Sequence, residues 1–183
     1  MSTIISGDGT ITGLTSTGIS AAQTVTSVPS SALPAGTVKQ VQSSVLTTSF
    51  SVSATSGTFY DTGLSVTITP QSTTSKILVI CDLNAYQSGN YALAQIARNG
   101  NPIYLNTSSP TFTSLIMPYP IYSQGPWGFR TAVFLDSPAS TSAQTYKYQV
   151  SQSSGTATVY VNTRSDNAIG VPCSITVMEI SGS

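Results

Sequence analysis

From Thr37 onwards the chain is a succession of short runs in which β-branched, aromatic and other apolar residues recur at every second position. Each run is closed by a turn signal. A period of two sends successive side chains to opposite faces, a pattern that suits a strand and not a helix. The runs fall at residues 38–52, 59–64, 66–69, 76–83, 91–98, 102–105, 129–135, 145–150, 156–161 and 174–180. Pro70 closes one of them, and residues 71–75 read as a polar turn. Asn99-Gly100 between two β-prone runs is a strong hairpin signal. Residues 92–97 have helical propensity, yet their flanks and the turn that follows argue for a strand. Strands at this spacing, with no convincing helix, predict an all-β fold: a jelly-roll-like antiparallel β-sandwich over residues 37–183. The runs at 77–83 and 175–180 are apolar almost throughout. They are expected at the centre of a sheet, with 77–83 buried on both faces.

Residues 1–36 are different. Glycines punctuate a polar, β-prone thread in which Ile4, Ile5, Ile11, Leu14 and Ile19 are isolated apolar positions. So few apolar residues cannot offset the entropy of ordering such a segment alone. The thread is therefore either disordered or ordered by neighbours, such as other copies of the chain. Val28-Pro29 and Leu33-Pro34-Ala35-Gly36 read as a hinge. The expected organisation is an extended N-terminal attachment thread and linker over 1–36, followed by the sandwich domain over 37–183.

Composition removes several function classes. Six basic residues balance six acidic ones, and only 7% of the chain is charged, against roughly 25% in an average soluble protein. Ser and Thr fill 58 positions instead. Without a basic excess there is no electrostatic footprint for nucleic acid. The apolar runs are far shorter than the roughly 20 residues of a spanning helix, so no membrane insertion is expected. A near-neutral hydroxyl-rich surface carries little like-charge repulsion, which suits packing into an assembly. A secreted adhesive domain has the same composition. The start at Met1 shows neither a basic stretch nor a continuous apolar one, so synthesis in a cytoplasm is expected. Cys81 and Cys173 could form one disulfide or remain two buried thiols; the cytoplasmic expectation favours reduced thiols.

No histidine is present, which excludes a His-dependent triad and His-ligated metal. The acids Asp8, Asp61, Asp82, Asp136, Asp166 and Glu179 form no close pair along the chain. Asp61 and Asp136 precede Thr62-Gly63 and Ser137-Pro138, and read as turn caps rather than a glycosidase pair. Thr73-Thr74-Ser75-Lys76 matches the Ser-x-x-Lys nucleophile pattern only with Thr at its head. Gly7-Asp8-Gly9 reads as a solvated turn, with a cation on a symmetry axis as the alternative, and Gly7, Gly9 and Gly13 lack the dinucleotide-binding spacing. The expectation is no enzyme, no catalytic residue, no cofactor and no metal. The segment at 106–128 carries four prolines with Tyr119, Tyr122 and Trp127. Rings in so long a loop suit either a subunit interface or a ligand surface that stacks on sugars.

A set of motifs then carries a resemblance. Tyr60-Asp61-Thr62-Gly63-Leu64 leads into Ile68-Thr69-Pro70 and Ser75-Lys76-Ile77-Leu78-Val79. Pro34-Ala35-Gly36 with Val38, Gln40 and Val41 precedes it; Asp136-Ser137-Pro138-Ala139, Thr145-Tyr146-Lys147 and Thr176-Val177-Met178-Glu179-Ile180 follow. Their order resembles that in tailed-bacteriophage virion proteins of the tail-fibre-like and head-fibre-like kind, over about residues 33–180. The resemblance implies a non-enzymatic virion component, commonly a homotrimer, made in the host cytoplasm and located on the particle. A tail fibre or receptor-binding protein is the leading expectation, and a capsid decoration protein (head fibre or cement) gripping the major capsid protein the alternative. The expected partners are two further copies of the chain, other virion proteins at the tail, baseplate or capsid through residues 1–36, and a host-surface glycan or protein. Ile4, Ile5, Ile11, Leu14 and Ile19 are then candidates for virion attachment, and Tyr119, Tyr122 and Trp127 for the receptor or an interface.

Overall fold

A computed structural model describes residues 33–87, 92–104, 129–163 and 170–182. The described residues contain ten strands and no helix: β1 (Val38–Leu46), β2 (Phe50–Thr55), β3 (Tyr60–Ile68), β4 (Lys76–Gln87), β5 (Ala92–Arg98), β6 (Asn101–Ile103), β7 (Phe129–Asp136), β8 (Gln144–Gln152), β9 (Thr156–Val161) and β10 (Cys173–Ile180). All pairings are antiparallel. One sheet runs β3-β8-β5-β6. In the other, the long β4 pairs β7 along one side, β10 over its first part and β9 at its end. β10 and β9 follow β4 one after the other, and β1 and β2 follow them in turn. With each end-to-end pair counted as one strand, the order is β2-β9-β4-β7 facing β3-β8-β5-β6, which is the strand order of a jelly roll.

Local chemistry explains these elements. The run at 38–52 is not one strand: it breaks at residues 47–49 into β1 and β2. Asn162 bridges the break, its Nδ2 donating to the carbonyls of Leu46 and Thr48 at 2.5 and 3.1 Å. The runs at 59–64 and 66–69 are instead a single strand with a bulge between Asp61 and Ser65. Gly63 takes φ +89° there, a value that strains any residue with a Cβ. Thr62, buried at the bulge, donates its hydroxyl to the Tyr148 carbonyl at 2.8 Å. Asn99 and Gly100 both have positive φ, as a two-residue hairpin turn of the primed type requires.

The core lies between the sheets. Ile77, Val79, Cys81, Ile175 and Val177 from one layer meet Leu64, Ile68, Ile96, Tyr146, Tyr148 and Val150 from the other. Cys81 and Cys173 are fully buried and unbridged. Burial pushes both thiols up, Cys173 to about 11, so neither is a thiolate at neutral pH. At one side Tyr104 stacks on Phe134, ring centroids 4.5 Å apart, where β6 and β7 approach. β4 and β10 are interior strands, as their apolar character predicts. Burial of 77–83 on both faces does not hold. Ile77, Val79 and Cys81 point into the core, while Leu78 and Ile80 are only partly buried on the other face.

Candidate functional site

The described polar side chains are arranged in a few clusters. Glu179 is fully buried on the inner face of β10. Its Oε1 accepts from Ser75 Oγ at 2.6 Å and from the Gln71 amide at 2.8 Å; its Oε2 accepts from Gln40 Nε2 at 2.6 Å. Burial pushes this carboxyl up, but the donors Ser75, Gln40 and Gln71, with the Lys39 charge, outweigh it and hold it below the usual range. One carboxylate thus ties β1, the β3–β4 turn and β10 together.

Asp61 and Asp136 are not turn caps. Asp61 lies within β3 and accepts from Lys147 Nζ at 2.5 Å and Gln149 Nε2 at 2.6 Å, both on β8. The bonds from Lys147 and Gln149 hold its carboxyl below the usual range. Asp136 ends β7 and accepts from Arg98 at 2.5 Å and from the Tyr146 hydroxyl at 2.7 Å. Asp82 accepts from Thr131 and Ser174 on the strands either side. Asp61, Asp82 and Glu179 tie elements within a sheet and Asp136 ties the two sheets together; among the described residues no group of three His, Cys, Asp or Glu could hold a metal ion. Ser75 of the Ser75-Lys76 sequence is bound to Glu179, and Lys76 donates to Ser137 Oγ at 2.9 Å. That geometry keeps the lysine directed away from the hydroxyl beside it.

Four buried amides are less complete: Gln95 Oε1 and Asn162 Oδ1 have no partner, and Gln87 and Gln152 satisfy each other only in part. Gln87 donates to Gln152 at 3.2 Å, which leaves Gln87 Oε1 and Gln152 Nε2 unpartnered. The buried Tyr148 hydroxyl is also unpartnered.

The feature with no internal use is a surface. Register carries one apolar row straight across four strands, Val41–Met178–Leu78–Leu135. The next row is Ser43–Thr176–Ile80–Val133, and Val38 and Ile180 lie on the other side of the first. Val38, Val41, Val133 and Leu135 are about half exposed, at 49–55%. Lys76, the first residue of β4, bounds this band at one end and Asp82, midway along the same strand, bounds it at the other; both are exposed. Large apolar patches on a soluble chain mark interaction sites more often than scattered apolar residues do. The sequence signal was present in the apolar residues at both parities of 77–80, but such a run fits a fully buried strand equally well.

The residues singled out for the receptor or an interface (Tyr119, Tyr122, Trp127) and for attachment (Ile4, Ile5, Ile11, Leu14, Ile19) lie outside the described residues. No family model matches this chain, and no curated protein matches it.

Proposed function

We propose that this chain is a non-enzymatic virion protein of a tailed bacteriophage. In this reading it is a tail-fibre or receptor-binding component that works as a homotrimer. Residues 1–36 attach it to the particle, and the sandwich is presented to the host surface. One observation carries the reading: the polar residues of the virion-protein motifs bind one another. Asp61 of the first motif pairs with Lys147 of the Thr145-Tyr146-Lys147 stretch. Asp136 of Asp136-Ser137-Pro138-Ala139 accepts from Tyr146 of that same stretch. Glu179 of the closing motif accepts from Ser75 before Lys76 and from Gln40 of the opening one. The motifs therefore specify the sandwich, and their conspicuous side chains are occupied in holding strands together. What remains for function is surface, and the surface offers an apolar band suited to protein contact.

Negative-stain imaging of virions labelled with an antibody to this chain tests the reading. Label at the tail tip is the expected result. Label over the head would replace it with capsid decoration, and virions without label would overturn it.

A further inference from the structure

We infer that the apolar outer face of β1, β10, β4 and β7 is covered by further copies of this chain, each meeting the next so that Lys76 of one copy lies against Asp82 of its neighbour. The inference rests on the homotrimer proposed above and names the surface that would make it.

Three observations select a second copy as the occupant. The first is size. Strands about 4.8 Å apart, rising about 3.3 Å per residue, make a four-strand face from Lys76 to Asp82 roughly 20 Å on each side. Its footprint of about 400 Å² is half of the roughly 800 Å² per partner of a standard interface, so this face forms the apolar centre of a contact whose rim extends past it. The second is chemistry. The middle of the face bears no charge: Val41, Met178, Leu78 and Leu135 form one row, and Ile80 and Val133 extend it. Hydroxyls at Ser43, Thr176, Ser174 and Thr131 flank these residues, which is the apolar centre and polar rim of a protein contact. The third is charge complementarity within a single face. Lys76 and Asp82 sit on the same strand at opposite ends of the band. A head-to-tail contact repeated round a closed ring brings the cation of each copy to the anion of the next without a foreign partner.

Sedimentation equilibrium of the full chain and its variants at micromolar concentration tests this. Val133→Glu/Leu135→Glu changes two side chains that are already half exposed, so the sandwich keeps its strand circular dichroism. Self-association is expected to weaken by about a hundredfold or more, leaving a folded monomer. Ser65→Glu, exposed on the other sheet, is expected to leave the trimer intact. Lys76→Asp is expected to weaken the trimer, and Lys76→Asp/Asp82→Lys to restore it; this pair still decides the matter if the first double variant does not fold. A monomeric wild type would overturn the homotrimer reading itself. A trimeric wild type that stays trimeric with Val133→Glu/Leu135→Glu, or a charge swap that restores nothing, would overturn only the placement on this face.

Discussion

The two sheets of the sandwich present opposite outer surfaces. On the β3-β8-β5-β6 sheet, Asp61, Lys147, Gln149 and Gln95 form a continuous chain of hydrogen bonds, and Thr67 and Thr145 bond across the strands beside it. On the β4 sheet the corresponding positions are Leu78, Ile80, Val133 and Leu135. The first surface pairs most of these polar groups with one another, although Gln95 Oε1 has no partner. The second leaves apolar area in water at a cost of about 25 cal/mol per Å². Composition hides this contrast, because a low-charge chain rich in Ser and Thr looks uniform until register sorts its residues by face.

The sharpest way to break the contrast is to cut the same strand on its two sides. Ile77→Ala removes a side chain buried in the core and should cost about 3–4 kcal/mol of sandwich stability in urea unfolding. Leu78→Ala, one residue on, should cost only about 1 kcal/mol when measured in the monomeric Val133→Glu/Leu135→Glu background. In the otherwise wild-type chain its cost should rise, because assembly is linked to folding. Equal costs in the two backgrounds would mean that the outer face contributes nothing to association.

Glu179→Ala comes next, with an expected loss of about 3 kcal/mol, since three donors lose their acceptor in a buried site. The pH dependence follows from the same group. Its folded pKa lies below the unfolded value of about 4.3, so its contribution is complete above that value. The contribution is lost as pH falls below it, through the folded pKa. Asp61, also lowered, adds in the same direction. Acid unfolding should therefore be shallower in Glu179→Gln than in the wild type over this window. The smallest effect is expected at Tyr148→Phe. The hydroxyl is buried without a partner, so its removal should be neutral or stabilising by up to about 1 kcal/mol. A loss above 1 kcal/mol would show that the hydroxyl has a partner.

What could be read from the sequence was local. Asn99-Gly100 fixed its hairpin because the turn chemistry is contained in two residues. The apolar character of 77–83 and 175–180 marked interior strands correctly. Asp61 was misread because its partner Lys147 is 86 residues away along the chain and strand pairing brings the two together; Asp136 was misread because Arg98 and Tyr146 reach it from the opposite sheet, a contact that only the packing of the two layers makes. Glu179 is the extreme case, with side-chain partners 139 and 104 residues distant. The apolar face was misread for a different reason. A core and a protein contact demand the same residue types, so alternation alone cannot say which of two apolar faces is covered by its own chain.

Met178 offers the most direct measurement, because it lies half-buried in the central apolar row of that face. Thioether oxidation follows exposure. Mild peroxide treatment followed by mass spectrometry of the Met178 peptide should give a rate about tenfold slower or more in the wild-type chain than in Val133→Glu/Leu135→Glu. Equal rates in the two proteins, with the wild type trimeric, would contradict burial of this face by neighbouring copies.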